Sequence, residues 1–435
     1  MIRLYLLLAL GLAQAAFAER LIIRLSTGGG GLVSLPTFIF PPVVFLAVVV
    51  PCWRELRRLM HTRIFMLCWM PYLAFTFALP ILAVPFMDYP VRTVFSSYTA
   101  LGAMAFVALG AAGKLYADGM GRTIGRVFLA AVLAQLALAL LQVQGEFSHL
   151  PGFLQRVYDW DFQYKVVFET RNLITARATG FYQNPNALGI WSLLAMCISF
   201  FLLEGRQRIV GSVGALATLL LCQSRGSLFA FIVSGGIYSI VWLVLNANRT
   251  QRRIGTLMAA FVAPMVAFVF IPGVADSALV HLRSVPFLAG GIDRYASGTK
   301  VLYEGASADM NFLGRVQLWK AGFRFLATHP FGSFGSPEVA TGVPVDNQLM
   351  YALEQGSWYF LLAVLLAFLG AIRLIGRPQR EARALAFAGI ALFVNGMSAV
   401  PLYYFAAGLF WLLVGIYLAR EVQDRSRQFR EAPPR

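Results

Sequence analysis

The feature that most constrains this chain is a series of apolar runs, each close to the length that crosses a membrane, separated by short polar segments. Only 13% of its 435 residues are charged, 59% are hydrophobic, and the mean hydropathy is +0.69. A soluble domain carries about 25% charged residues, so a water-soluble fold of this size lacks the polar groups to cover its surface. The sequence therefore predicts an all-α polytopic membrane protein and excludes soluble, disordered and disulfide-scaffold classes.

A membrane-spanning helix needs about 20 mostly apolar residues. We predict twelve spans, at residues 4–18, 34–52, 64–86, 95–112, 127–144, 187–203, 209–223, 228–246, 254–272, 358–375, 385–402 and 404–419. The first run also has the layout of a cleavable signal peptide, with Arg3 before the apolar stretch and Ala16-Phe17-Ala18 at its end. We interpret it as the first span, and the topology that follows is the same in either case.

The long segments between spans predict three regions. Residues 1–272 hold the first nine spans and an outer loop at 145–186, residues 273–357 form a large outer loop, and residues 358–435 hold the last three spans and a basic tail. Segments on one side carry 22 of the 36 basic residues but only 7 of the 20 acidic ones. The positive-inside rule makes that side cytoplasmic, with both termini inside. Topology thus accounts for the net charge of +16, and no basic domain for nucleic acid is predicted.

Three arginines on the predicted outer side are candidates for binding a substrate: Arg177 and Arg225 at the ends of spans, and Arg315 in the large loop. A guanidinium forms bidentate hydrogen bonds with phosphate oxygens and keeps its proton. Three of them at the membrane surface suit a lipid-linked diphosphate. The alternative is that arginines at span ends only snorkel to lipid headgroups.

Periodicity predicts an amphipathic helix over residues 312–326. Its apolar stripe is formed by Phe312, Val316, Trp319, Phe323 and Leu326. Arg315 borders the stripe on one side, and Lys320 and Arg324 lie on the other. Such a helix either lies flat on the membrane or packs on the core of its own loop, and the pattern does not separate the two.

Metal binding is not favoured by the sequence. Asp159-Trp160-Asp161 has the D-x-D spacing of some metal-dependent glycosyltransferases, but no other acidic pair lies nearby, and His149, His281 and His329 are scattered. We therefore expect no cofactor and a metal-independent activity. The aromatic residues of segment 147–168 either stack on sugars or form an interfacial belt.

Five short motifs, in order along the chain, together resemble a known family. They are Arg177-x-x-Gly180-x-x-x-Asn184-Pro185-Asn186, Ser224-Arg225-Gly226, Gly314-Arg315, His329-Pro330-Phe331-Gly332, and Asp346-Asn347-Gln348 followed by Gly356. Over residues 170–375 this pattern is similar to that of bacterial O-antigen polymerases and O-antigen ligases. The resemblance implies a membrane-embedded glycosyltransferase of the bacterial inner membrane, active on the periplasmic side.

One departure bears on the reaction that the resemblance implies. Ligases of this family typically have His-Asn where this chain has Asp346-Asn347, so the sequence favours a polymerase of O-antigen, capsule or exopolysaccharide repeat units. We expect it to join glycans carried on undecaprenyl diphosphate. Arg177, Arg225 and Arg315 would bind the diphosphate, Arg315 also serving catalysis, and Asp346 would accept the proton of the attacking hydroxyl, with His329 as a weaker candidate.

Two other functions remain open from the sequence. The first is a ligase that transfers glycan to lipid A core or another acceptor. The second is a flippase for lipid-linked oligosaccharides, which the sequence disfavours because no ionisable residue is predicted at the centre of a span. Expected partners are the lipid-linked oligosaccharide and membrane lipids, with a chain-length regulator and a flippase as possible protein partners.

Overall fold

The computed structural model describes residues 35–87, 99–144, 177–245, 305 and 310–431, with Gln183, Val343, Pro344 and Tyr404 left out. We number its α-helices along the described chain: α1 Leu35–Met60, α2 Met70–Met87, α3 Thr99–Ala117, α4 Gly121–Gln144, α5 Pro185–Leu202, α6 Gly205–Leu221, α7 Arg225–Leu245, α8 Met310–Thr328, α9 Pro337–Thr341, α10 Gln348–Ile372, α11 Arg380–Asn395 and α12 Gly408–Glu431. A π-helical turn, Phe65–Trp69, precedes α2, and two 3₁₀ turns, Pro401–Tyr403 and Phe405–Ala407, precede α12.

The all-α prediction is confirmed for these residues, which contain no strand. Helices occur at ten of the twelve predicted spans, whereas spans 4–18 and 254–272 lie outside the described residues. Four helical segments are long and apolar enough to cross a membrane: Phe65–Phe86, Gly121–Val143, Pro185–Leu202 and Gln348–Ile372. The chain is therefore a helical membrane protein, and the number of twelve spans stays a prediction.

The helices pack through small residues at several close contacts. α12 lies along α3, where a Cβ on Gly415 would be 2.5 Å from the Leu109 carbonyl oxygen. α5 packs between α6 and α11, and α11 also contacts α7 and α10. Helices in lipid gain stability from close backbone approach and van der Waals contact, because lipid tails are as apolar as the side chains. This packing brings the first turns of α5, α7 and α10 close to the last turn of α11.

Helix α10 starts ten residues before the predicted span at 358–375 and contains a break. Gly356 and Ser357 are non-helical, and Ser357 has a φ of 55°, in the left-handed region that non-glycine residues rarely adopt. The break frees the carbonyls of Glu354 and Gln355, which accept hydrogen bonds from the backbone N–H groups of Ser333 and Phe334 at 2.7 and 2.8 Å. The loop after α8 thus supplies hydrogen-bond donors to the carbonyls that the break leaves without helical partners.

Gly332 is needed for that loop to approach. Its φ is +82°, and a Cβ there would be 2.8 Å from the carbonyl oxygens of Glu354 and Gln355. Only glycine meets both conditions without strain. The glycine of the His329-Pro330-Phe331-Gly332 motif is therefore explained by backbone packing against the α10 break.

The amphipathic helix predicted at 312–326 is present as α8. Trp319 and Leu326 pack on a small apolar cluster that includes Met350, Tyr351 and Val400, so the stripe lies partly on the protein's own core. Phe323, from the same stripe, is 58% exposed. The stripe is thus shared between the core of the protein and its surroundings.

Candidate functional site

Arg177 is held by the turn between α6 and α7. Its Nε donates to the Cys222 carbonyl at 3.2 Å, and its Nη2 lies 3.4 Å from both the Gln223 carbonyl and the Asn186 Oδ1. The side chain is partly buried. Because Arg225 starts α7 only two residues after Gln223, the fold brings the predicted pair Arg177 and Arg225 to the same turn.

Two buried glutamines of α4 hold the chain next to Arg177. The Gln142 Oε1 accepts from the backbone N–H groups of Thr179 and Gly180 at 2.8 and 2.7 Å, and its Nε2 donates to the Gly180 carbonyl at 3.1 Å. Two turns earlier on the same face of α4, the Gln135 Oε1 accepts from the Phe181 N–H at 3.0 Å. These bonds fix the loop that carries Arg177. Neither glutamine was predicted from the sequence, because both lie inside an apolar span.

The motif Asn184-Pro185-Asn186 builds the start of α5. The Asn184 side chain caps the helix by accepting from the Asn186 N–H at 2.8 Å, and Pro185 occupies the first turn, where no N–H is needed. The Asn186 Oδ1 accepts from the Ser224 Oγ at 3.2 Å as well as from Arg177. Asn186 therefore connects the two motifs that carry Arg177 and Arg225.

Arg315 and Asp346 form an ion pair at the start of α10. The Arg315 Nε lies 3.6 Å from the Asp346 Oδ2, with side chains that are 29% and 50% exposed. A pair at this distance and exposure contributes little to stability. Both groups remain accessible from outside the protein, so the pair provides a cation and a carboxylate side by side for a ligand.

The segment that follows α11 connects the two halves of the site. The Asn395 Nδ2 donates to the Ser227 Oγ at 3.1 Å, in the first turn of α7. The Asn347 side chain caps α10 and donates from its Nδ2 to the Met397 carbonyl at 3.1 Å, and the Gln348 N–H donates to the Gly396 carbonyl at 2.8 Å. Residues 395–397 thus contact both the turn of Arg225 and the helix start beside Asp346.

His329 is separate from this arrangement. Its ring stacks on Phe325 with centroids 4.4 Å apart, and its Nδ1 lies 2.9 Å from the Thr328 Oγ1. Within the described part of the chain, its side chain makes no contact with Arg315 or Asp346. His329 directly follows α8 and starts the loop that hydrogen-bonds to the α10 break.

Glu354 is a buried carboxyl that the sequence analysis assigned to the outer loop. It lies in α10, within a helix apolar enough to cross the membrane, and is 2% exposed. Its carboxyl contacts Gly322 of α8 at the position that a Cβ would occupy. Glu354 is the seventh residue of α10, two residues before the break at Gly356, and it lies outside the predicted span at 358–375.

The described residues contain no group of three or more His, Cys, Asp or Glu side chains that would hold a metal ion. Asp159, Asp161 and the aromatic segment 147–168 lie outside the described residues. The described contacts form two groups: Arg177 with the turn that carries Arg225, and Arg315 with Asp346. A guanidinium group can bind an anion, and a carboxylate can accept a proton.

Part of the chain is similar to a known protein family. Residues 210–356 match the family model described as O-Antigen ligase. The matched region contains Ser224-Arg225-Gly226, Arg315, Asp346 and Glu354, whereas Arg177 and Asn395 lie outside it. No curated protein matches the chain significantly.

Proposed function

Because residues 210–356 are similar to the O-antigen ligase family, which confirms the resemblance seen in the motifs, we propose that this membrane protein is a polysaccharide polymerase. It transfers a growing glycan from undecaprenyl diphosphate to a sugar hydroxyl of another lipid-linked repeat unit. The reaction takes place at the periplasmic face of the bacterial inner membrane, with both termini in the cytoplasm. A chain-length regulator and a flippase are its proposed protein partners.

The observation that carries this proposal is the pairing of Arg315 with Asp346 at 3.6 Å. The reaction needs a cation for the departing diphosphate and a base for the arriving hydroxyl, both close to the reacting sugar carbon. An accessible guanidinium beside an accessible carboxylate supplies both groups. The ion pair also orients the two side chains before substrate binds.

In the proposed step, the acceptor hydroxyl oxygen forms a bond to the anomeric carbon of the donor glycan. The bond from that carbon to the diphosphate oxygen breaks, and its electron pair leaves with the lipid diphosphate. The hydroxyl proton passes to the Asp346 carboxylate. Arg177, Arg225 and Arg315 stabilise the negative charge that develops on the leaving group, so the proposed chemistry needs no cofactor.

A ligase is the alternative within the same family, and the match to the family model supports it equally. The two differ in the acceptor, which is another lipid-linked repeat unit for a polymerase and a separate molecule, such as lipid A core, for a ligase. A flippase, from another functional class, would move the lipid-linked glycan without changing its length.

One reconstitution separates all three. The purified protein is placed in liposomes with the undecaprenyl-diphosphate-linked repeat unit as the only glycan. We expect a ladder of products that differ by one repeat unit on a gel. A ligase would leave the repeat unit unextended until lipid A core is added and would then transfer it to the core. A flippase would move the repeat unit across the bilayer without changing its length.

A further inference from the structure

A cavity of about 110 Å³ lies at the end of the helix bundle away from the arginine site. It is lined by residues of α3, α4, α5, α11 and α12, including Leu202 and the following Leu203 at the end of α5. Asn186 lies near the other end of α5, and the 12 residues from Asn186 to Ile198, the first lining residue on this helix, place the cavity about 18 Å from the arginine site. It is therefore a separate feature of the molecule.

The interior of the cavity is apolar. α4 lines it from Gly121 to Phe128, a length of about 10 Å. Phe128, Ile198 and Leu412, which face it, are each at most 3% exposed. An apolar cavity of about 150 Å³ stays dry and takes up small hydrocarbons. The size and lining of this cavity therefore suit a segment of a hydrocarbon chain.

The polar groups of the cavity lie at one end and are already engaged. The Tyr116 hydroxyl donates to the Glu381 Oε1 at 2.5 Å, and Arg420 interacts with the same hydroxyl. Tyr116 lies in the last turn of α3 and Glu381 in the first turn of α11, so these polar groups lie at helix ends. The Glu381 carboxylate thus already accepts a hydrogen bond from Tyr116.

The cavity is bordered by arginines on the predicted cytoplasmic side. Arg122 and Arg126 are exposed, lie one turn apart, and each follows a glycine that lines the cavity. In the part of the chain that the structure describes, neither forms an ion pair. Arg208, whose Nε donates to the Leu203 carbonyl at 3.0 Å, adds a third cation. The border is therefore positive where the interior is apolar.

We propose that this cavity binds one acyl chain of an anionic glycerophospholipid from the cytoplasmic leaflet, with Arg122 and Arg126 holding its phosphate. Basic pockets between helices on the cytoplasmic side of a membrane are sites for anionic lipid headgroups. The chain fills the apolar space, and the guanidinium groups select an anionic headgroup over a zwitterionic one. The site is independent of the proposed polymerase activity, because it lies at the other end of α5.

The test uses the full-length protein, delipidated and returned to phosphatidylcholine nanodiscs that contain phosphatidylglycerol with a photoreactive acyl chain. We expect crosslinks on peptides that contain Phe128, Ile198 or Leu412, and at least tenfold less crosslinking in Ile198→Phe, which fills the cavity. Gly121→Leu, at a position where a Cβ makes only ordinary contacts with Tyr116, serves as the second filling variant if Ile198→Phe does not fold.

Headgroup selection is tested with Arg122→Gln/Arg126→Gln. Each arginine near a membrane surface favours an anionic lipid about fivefold, so the double variant should lose most of its preference for phosphatidylglycerol over a phosphatidylcholine probe. The matched control is Arg54→Gln/Arg57→Gln, which changes exposed arginines of α1 that do not line the cavity and should keep the preference. Equal labelling by the two probes in the wild type, or unchanged labelling in both filling variants, overturns the proposal.

Discussion

The side-chain amide of Asn395 donates a hydrogen bond to the Ser227 hydroxyl at 3.1 Å, and this bond joins the last turn of α11 to the first turn of α7. Both side chains are buried, at 1% and 0% exposure. Arg225 lies two residues before Ser227. The carbonyls of Gly396 and Met397 accept hydrogen bonds from Gln348 and Asn347, which follow Asp346 at the start of α10. The bond therefore contributes to the spacing between the arginine turn and the ion pair.

We predict that Asn395→Ala lowers turnover at least tenfold while the KM for the lipid-linked donor changes little. The substitution leaves the charged groups in place but removes the bond that positions them, and removing a buried hydrogen-bonding partner costs about 1–3 kcal/mol. A double-mutant cycle with Ser227→Ala should show coupling in kcat. Ser199→Ala, which removes a buried hydroxyl that has no partner among the described residues, is the control and should be neutral.

The three arginines should differ in what their loss does. Arg315→Ala should abolish long glycan without affecting folding, because its ion-pair partner among the described residues, Asp346, is half exposed. Loss of a charge-assisted contact to a developing oxyanion costs about 2.7–4 kcal/mol, or 10²–10³ in rate. Product length on gels and expression level measure the two effects. Arg225→Ala should also shorten the glycan, and normal chain length in both variants would leave these arginines a lipid-facing role only.

Arg177→Ala should lower the melting temperature as well as the activity. Its guanidinium bonds to the carbonyls of Cys222 and Gln223 and to Asn186, so its removal leaves these acceptors without that donor. Arg177→Lys should recover stability only in part, because an ammonium group lacks the planar arrangement that reaches three acceptors. Thermal unfolding in detergent, followed alongside turnover, separates the structural effect from the catalytic one.

Helix α8 offers a matched pair of glycine substitutions. A Cβ on Gly322 would overlap the Glu354 carboxyl and lie 2.8 Å from the Met350 Cε, whereas a Cβ on Gly314 has nothing within 4 Å. We expect Gly322→Ala to displace α8, and with it Arg315, and so to reduce turnover at least tenfold. Gly314→Ala should leave turnover close to that of the wild type, since alanine stabilises a helix by about 0.5–1 kcal/mol relative to glycine. Equal turnover in the two variants would contradict the role of this contact.

The positions of the helices were predictable from the sequence, because the length of an apolar run and the spacing of its apolar residues are local signals. The pattern 312–326 predicted α8, and the apolar run 187–203 predicted α5. The hydrogen bonds of Gln142 and Asn395 were not predictable, because polar residues inside apolar helices acquire partners only when helices pack. The break at Gly356 and Ser357 was missed for the same reason: its carbonyls are satisfied by Ser333 and Phe334, which are distant in the chain.

Chelation tests the expectation that arginines, and not a metal ion, bind the diphosphate. We expect the purified protein to keep its activity in excess EDTA, and Asp159→Asn and Asp161→Asn to have little effect. Product length in the liposome reaction is the measurement. Activity that disappears with EDTA and returns with magnesium or manganese would assign the D-x-D motif a metal and contradict the arginine mechanism.

The last prediction concerns the base. Asp346→Ala should reduce kcat by 10²–10⁴, the range of general base catalysis, with a smaller change in the KM for the donor. Asp346→Asn keeps the shape of the side chain and a neutral contact to Arg315, but it cannot accept the proton. If Asp346 is the base, both variants are equally slow; if it only orients Arg315 or the hydroxyl, the asparagine variant recovers a large part of the rate. His329→Ala is the control, since its recorded contacts are with Phe325 and Thr328 of its own helix, and it should polymerise normally. A normal ladder from Asp346→Ala would show that this carboxylate takes no part in the reaction.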